Sequence, residues 1–441
     1  MHTVVMGAGR SGLAAARFLA SQGRSVVLTD NRPGPGPALE LDLAKAGIPG
    51  VWGSHPSVLL EGCGELVISP GIPRSAPFVT EALGRGIPVI GEVELAHRLI
   101  RDRRDCGRVL AVTGTNGKST TTDLVAHLLR ASGISAVACG NLGTPVIEAV
   151  QAAPAGTAFA VELSSYQLES VLSFHAEGAA FLNLAPDHLA RHGTMEAYHR
   201  TKLRIFAGQT ADDLRVVPLA HPEWWQDAPG EGRTARFGWS ECEAWCEGSG
   251  DLHLYGEPLL HRSELRIPGD HNVENALAAG LLARQAGAST EGLREGLRSY
   301  PGLAHRIAFC GEKAGVRAYN DSKGTNVDAT VTAIRALPGP LVLLLGGTDK
   351  GASYEPLREA LAGKLHRLMF LGEAIPQLTR DLGDLPHDVA PVFDDAVRAA
   401  LALARPGDQV LLSPACASFD QFDNFEQRGK RFEALVRDWA D

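Results

Sequence analysis

Long apolar runs are missing from this 441-residue chain. Stretches such as Leu341 to Leu345 fall far short of the roughly 20 residues that a membrane-crossing helix needs, so no membrane insertion is expected. Residues 1–20 carry glycines where an export leader would need its apolar centre, and a cytoplasmic protein is expected. Basic charge is also scarce. Against 51 Asp and Glu stand 42 Lys and Arg, a formal net charge of -9, which speaks against a general nucleic-acid binder. The seven cysteines are scattered; Cys242 and Cys246 are the closest pair, and no C-x-x-C accompanies them to make a zinc site. Reduced thiols are the plain reading. Low-complexity tracts, tandem repeats and long like-charge runs are absent as well. Length alone calls for two to three domains, and a monomer is expected.

What the chain does have is a succession of short apolar runs, among them Val4–Met6, Val26–Leu28, Leu66–Ile68, Val109–Val112, Phe159–Val161, Phe181–Leu182, Leu341–Leu345 and Val410–Leu412. Their hydrophobicity is continuous and does not alternate, as in parallel strands covered on both faces, and helix-like segments separate them. The fold class that follows is α/β. Strand after strand ends in a polar or glycine-rich loop, and in open α/β sheets ligands gather at those ends. The loops fall into three clusters, which predicts three domains around a shared cleft. They are a Rossmann-like N-terminal domain over 1–90, a central P-loop ATPase-type domain with a mostly parallel sheet over 91–302, and a Rossmann-like C-terminal domain over 303–441. A hinge is expected near Pro301 and Gly302, and 208–262 reads as an irregular insertion with some antiparallel strand.

The first loop, "GAGRSG", places Gly7, Gly9 and Gly12 between a strand and a helix, with Asp30 at the spacing of a ribose-binding carboxylate. Taken alone, it fits a NAD-binding oxidoreductase. The second loop, "GTNGKSTTT", follows a strand and opens a helix. Gly114, Thr115, Asn116, Gly117, Lys118, Ser119 and Thr120 match a phosphate cradle: backbone amides and a helix N-terminus face the anion, the lysine bridges phosphates and the hydroxyl holds magnesium. Val112 stands where the first glycine of the full pattern belongs, yet ATP binding is expected. Glu162 ends a buried-looking strand, where a carboxylate needs a salt-bridge partner or a metal. His188 ends the next strand and pairs at i, i+4 with His192, without the third ligand zinc would need.

In order along the chain, "GTNGKSTTT", "GNLG", "ELSSYQLE", "NLAPDHL", "YHRTKLRIF", "GDHNVENALAA", "HRIAF", "NDSKGTNVDAT", "GGTDKG" and "SPACASFDQFDNFEQRG" resemble the Mur ligase family, the ATP-dependent amide ligases of peptidoglycan stem-peptide assembly. The last motif is most similar to the branch that adds D-glutamate, and no "DNPR" follows "GGTDKG" as it does in the branches adding diaminopimelate or lysine. The resemblance implies ATP, UDP-N-acetylmuramoyl-L-alanine and D-glutamate as small-molecule substrates, joined through an acyl phosphate and a tetrahedral intermediate. It implies two magnesium ions held by Ser119, Glu162, His188 and a carbamylated Lys202. Read as sequence alone, Lys202 is a solvated helix lysine. Lys118 would contact the β- and γ-phosphates, and Lys323 would lie near the transferred phosphate, although a loop lysine paired with a carboxylate is also open.

The same resemblance puts Asn272 and Asn275 near adenine, where packing asparagines are the alternative, and brings Arg306 and Asp321 to the nucleotide. The D-glutamate pocket would be Thr325, Lys350, Ser418 and the backbone around Phe425, with a turn hydroxyl and a core aromatic as the other readings of the last two. Asn141 would contact the muramoyl group, and Asp30, Asn31, Arg32, Ser69 and Gly71 the uridine diphosphate. Asn31 stands where a threonine is common, and Pro186 and Ala190 replace polar residues around the histidine. A folylpolyglutamate synthase-like ligase is the nearest alternative, but it would lack the N-terminal nucleotide domain.

Overall fold

The computed structural model of the chain describes residues 1–349, 351 and 353–440. It divides into two compact units, one of Met1–Leu265 with His271–Tyr300, the other of Arg266–Asp270 with Pro301 onward.

The first unit holds two sheets. Its N-terminal sheet contains β1 (His2–Met6), β2 (Val26–Asp30), β3 (Gly50–Trp52), β4 (Cys63–Ile68) and β5 (Val89–Gly91), all parallel, in the order β3-β2-β1-β4-β5. Strand order reverses at β1, which opens a crevice at its carboxyl end. Helix Arg10–Ser21 follows β1 and buries Ala14, Ala15 and Ala16, small residues that let it lie close to the strands.

The second sheet contains β6 (Val109–Thr113), β7 (Ala136–Gly140), β8 (Ala158–Glu162), β9 (Gly178–Phe181), β10 (Leu214–Pro218), β11 (Arg233–Gly238), β12 (Ala244–Cys246), β13 (Asp251–Leu254) and β14 (Glu257–His261). Their order is β14-β13-β12-β11-β10-β9-β6-β8-β7, parallel as far as β12 and antiparallel from there to β14. The stretch 208–262 holds the expected antiparallel strand in β12–β14, but it is regular and not irregular. It supplies five strands that extend the central sheet, starting with β10 on β9. Strands of three to six residues are too short to show a period, and their pairing comes from a sheet edge distant in sequence.

A short helix, Glu92–Asp102, joins the two sheets and carries two buried carboxylates into the central one. Glu94 accepts the amides of Leu172 and Ser173, each at 2.9 Å, and the Ser173 hydroxyl at 2.6 Å. Glu92 accepts the Ile147 amide at 2.6 Å, but its Oε2 has no hydrogen-bond partner among the described residues, and burial pushes its pKa up to about 7. Because the folded state holds this proton more tightly than the unfolded one, stability is greatest below about pH 4.5 and falls as pH rises to about 7. Glu92→Gln removes that titration. The variant is expected to gain roughly 3 kcal/mol on wild type between pH 4.5 and 8, read by urea unfolding at both ends of the range. Parallel pH profiles would refute the assignment.

The second unit contains β15 (Ala308–Lys313), β16 (Val316–Asn320), β17 (Leu341–Gly346), β18 (Leu365–Leu371), β19 (His387–Val389) and β20 (Gln409–Leu412), ordered β15-β16-β20-β17-β18-β19. All pairs are parallel except β15 with β16. Leu341 through Leu345 are fully buried, the signature of a central parallel strand. Among the described residues, no helix is long and apolar enough to cross a membrane.

Candidate functional site

At the carboxyl end of β1, the glycines of the first loop do different work. Gly7 has φ +98, and a Cβ there would lie 2.7 Å from Ser69 Oγ; a Cβ on Gly12 would overlap the Gly7 carbonyl. Gly9 and Gly71, by contrast, face open space. Two positions thus permit close packing, and two leave room for an incoming group. Ser69 Oγ donates to the Gly7 carbonyl at 3.1 Å, binding the β4 loop to the β1 loop. Asp30 accepts the Ala8 amide at 2.6 Å, and from Arg32 both the amide at 2.9 Å and Nε at 3.0 Å. Burial works to raise its pKa, but these donors together hold it below the ordinary carboxylate value. Asn31 is exposed at the rim.

After β6 the chain turns through Gly114 (φ +152) and Gly117 (φ +80) into helix Lys118–Ala131. A Cβ on Gly117 would overlap Asn275 Oδ1. That same oxygen accepts the Thr121 hydroxyl at 3.1 Å, while Asn275 Nδ2 donates to Asn272 Oδ1 at 3.1 Å. Both asparagines therefore sit on one face of helix Asp270–Gln285, with Asn275 seated directly against the loop. The Asn183 carboxamide accepts the amides of Thr115 (3.1 Å) and Asn116 (2.8 Å). Lys118 Nζ bends back to the carbonyls of Gly114 (3.0 Å) and Thr115 (2.7 Å). Ser119 and Thr120 are buried at the helix start.

Lys202, which the family resemblance brings to this site, is buried. It lies 1% exposed, donates to the Gly114 carbonyl at 2.6 Å and packs 4.5 Å from the centre of the Tyr198 ring. Burial, reinforced by the nearby Lys118 cation, lowers its pKa to about 6 against the opposing pull of Asp187 and Glu162. The solvated reading of this lysine is thus overturned by its burial, which disfavours the charged form. Glu162, at the end of β8, accepts the Asn141 carboxamide at 2.7 Å through Oε1. Its Oε2 is buried without a partner among the described residues. An orphaned acceptor beside a phosphate-type loop suits a hard cation. His188 adopts φ +53 and is half exposed; its Nδ1 meets Tyr166 OH at 3.0 Å and its Nε2 lies 3.3 Å from Asp187. No group of three His, Cys, Asp or Glu is poised as a metal cage among the described residues. Glu162 and a hydroxyl with retained waters fit magnesium better than zinc.

In the second unit, Asp321 directly follows β16 and is buried. It accepts the Ser413 hydroxyl at 2.7 Å and the Ile307 amide at 3.3 Å, and burial pushes its pKa up to about 7 although the nearby Arg306 lowers it. Arg306 Nε is buried without a partner among the described residues. Lys323 Nζ stands 5.7 Å from the centre of the Phe425 ring, and the Thr325 amide donates to the Lys323 carbonyl at 2.8 Å. Phe425 is half-buried at the head of helix Phe425–Ala440, and its carbonyl accepts the Ser322 hydroxyl at 2.9 Å. Ser418 is buried, with its carbonyl accepting the Phe422 amide at 2.9 Å. Lys350 lies outside the described residues.

Three residues were not singled out from the sequence. Tyr198 meets Thr115 Oγ1 at 3.2 Å and covers Lys202; its place four residues before the lysine, on one helix face, was a usable signal. Asn183 was hidden within "NLAPDH". Arg428, 1% exposed, donates to Ser322, Ala417 and Cys416 at 2.9–3.1 Å and binds the "DSKGTN" and "SPACAS" loops together. A single arginine in an amphipathic helix gives no sequence sign of burial.

Comparison with known proteins places these features in a family. The Mur ligase MurD-like N-terminal domain matches residues 1–91, the Mur ligase middle domain 112–283, and the Mur ligase glutamate ligase domain 305–416. Two curated relatives, the UDP-N-acetylmuramoylalanine--D-glutamate ligases of Acidobacterium capsulatum and Pelotomaculum thermopropionicum, are each 40% identical. The alignments cover 98% of this chain and 95% and 96% of those proteins. The structure of MurF ligase from Thermotoga maritima in complex with ADP shares the fold, with TM-score 0.62 at 16% identity over 94% of this chain and 96% of that one. The chain belongs to the Mur ligase family, with the expected α/β architecture of N-terminal, middle and C-terminal domains. A free-standing NAD oxidoreductase is set aside.

Proposed function

We propose that the chain is an ATP-dependent ligase that joins D-glutamate to UDP-N-acetylmuramoyl-L-alanine, in cytoplasmic synthesis of the peptidoglycan precursor. The 40% identity to named D-glutamate ligases over almost the whole chain supports the substrate assignment. One observation carries the site: a buried lysine amine bonded to a carbonyl of the phosphate loop, with a nearby carboxylate whose second oxygen has no partner among the described residues.

In this reading the L-alanine carboxylate oxygen attacks the γ-phosphorus of ATP, and ADP departs. The D-glutamate nitrogen then attacks the acyl carbon, and the tetrahedral intermediate expels phosphate to leave the amide. Lys118 lets go of its loop carbonyls to meet the β- and γ-phosphates, while the amides of the loop and the head of helix Lys118–Ala131 face the negative charge. Bound magnesium supplies charge neutralisation on the transferring phosphoryl group, with Ser119, Glu162, His188 and carbamylated Lys202 as holders. The lysine is suited to that modification. A neutral amine nitrogen can attack carbon dioxide and release one proton, which turns a would-be cation into a carboxylate-like ligand. Asp321, Arg306 and Lys323 belong to the nucleotide and phosphate side of the second unit. Thr325, Lys350, Ser418 and Phe425 belong to the pocket for the incoming dicarboxylate. Gly9 and Gly71 give the uridine diphosphate its room, with Asp30, Asn31, Arg32 and Ser69 around it and Asn141 toward the muramoyl group.

The test is phosphate release with UDP-N-acetylmuramoyl-L-alanine and ATP across a panel of amino acids. D-glutamate is expected to support turnover at least 100-fold better than L-lysine or meso-diaminopimelate. Turnover with either of those and not with D-glutamate would overturn the assignment.

A further inference from the structure

We propose that Arg191 is a positioning residue that couples the Ser69–Ile72 loop of the N-terminal sheet to the turn bearing His188. The proposal rests on the reading of that loop as part of the nucleotide-sugar cradle. The guanidinium reaches from the short helix Leu189–His192 to three consecutive carbonyls: Pro70 at 3.4 Å, Gly71 at 3.2 Å and Ile72 at 2.9 Å. Its other edge is held by both oxygens of Glu169, at 2.7–3.2 Å, and its face lies 4.9 Å from the Tyr166 ring centre. Arg191 and Glu169 are 13% and 15% exposed, so the pair is screened from water far more than a surface ion pair.

Two connections run on from this arginine. Forward, the Ser69 hydroxyl at the start of the held loop donates to the Gly7 carbonyl, so the loop is gripped between the first glycine turn and the guanidinium. Backward, the Arg191 amide donates to the His188 carbonyl at 2.9 Å, and the Tyr166 hydroxyl beneath the guanidinium meets His188 Nδ1 at 3.0 Å. His192, one residue further, lies 3.5 Å from Glu169. A planar guanidinium with five donors can hold carbonyls and a carboxylate at once in fixed directions, which neither lysine nor glutamine can do. A diphosphate that displaces the Gly71 backbone therefore pulls on the segment that orients the histidine. The "NLAPDHL" motif ends just before this residue, and nothing in its spacing hinted at a reach across to another sheet.

The experiment compares wild type with Arg191→Gln and Arg191→Lys as full-length proteins. UDP serves as the probe because it fills the diphosphate cradle without presenting an acyl end. Its affinity is expected to fall about tenfold in Arg191→Gln and to recover in part in Arg191→Lys, while ATP affinity stays within twofold of wild type. In the assay, KM for UDP-N-acetylmuramoyl-L-alanine rises about tenfold and KM for D-glutamate does not change. With histidine-labelled protein, the His188 ring resonance (assigned by its loss in His188→Gln) should shift on addition of UDP in wild type and stay fixed in Arg191→Gln. Unchanged UDP affinity and the same His188 shift in the variant would overturn the proposal, as would equal losses of UDP and ATP binding that track a smaller folded fraction. Failure of wild type itself to bind UDP would refute the cradle reading and not merely the role of Arg191.

Discussion

The Lys202→Ala enzyme is expected to turn over roughly 1,000-fold more slowly than wild type, about 4 kcal/mol of lost transition-state stabilisation. High bicarbonate should not rescue it. The expectation follows from where the amine sits: buried, bonded to the Gly114 carbonyl and near the orphaned Glu162 oxygen. Alanine leaves neither a donor for that carbonyl nor an atom to carboxylate. Wild type should depend on pH in a matching way. Since the amine titrates near 6, it becomes a cation as pH falls through that value, and a protonated nitrogen has no lone pair to offer carbon dioxide. Activity in carbon dioxide-depleted buffer should therefore fall as pH is lowered through about 6, and return on adding bicarbonate at pH 8. An alanine variant with near wild-type turnover, measured as ADP formed, would remove Lys202 from the site.

Glu162→Gln is the second large effect. The amide keeps the size of the side chain and an oxygen for the Asn141 carboxamide, so the fold should tolerate it. What it loses is the charge on an acceptor that nothing among the described residues satisfies. We expect kcat to fall by roughly 100- to 1,000-fold, about 3–4 kcal/mol, with the magnesium concentration for half-maximal rate raised at least tenfold. Thermal unfolding without nucleotide should move by no more than a few degrees. A loss of rate with unchanged magnesium dependence would point away from metal binding by this carboxylate.

Legibility in the sequence tracked how local each feature is. The glycine turns after β1 and β6 were readable because a close approach and a positive φ demand glycine at fixed offsets from a strand end. The strand at Leu341–Leu345 was readable because a fully covered strand is apolar without interruption. Lys202 was not, since "YHRTKL" has the composition of a solvated helix and the burial comes from the loop around Gly114, 88 residues earlier. Asn275 fits against Gly117 by a contact of the same kind, between residues distant in sequence. That 208–262, read as having some antiparallel strand, extends the central sheet stayed hidden for a related reason: each strand is too short to announce its pairing, and the edge of β9 organises them.

The two buried glutamates of helix Glu92–Asp102 have a practical consequence. A chain begun after residue 102 would keep every residue of the central sheet, yet the amides of Ile147, Leu172 and Ser173 would lose their acceptors inside the protein. Leu172 and Ser173 are exposed, but Ile147 is fully buried, and a buried donor left without its acceptor costs on the order of 1–3 kcal/mol. A cut there would therefore be expected to yield an unstable remnant and not a free-standing ATPase module. The N-terminal sheet is modular in its strand order, but the helix that follows it is bonded into the interior of its neighbour.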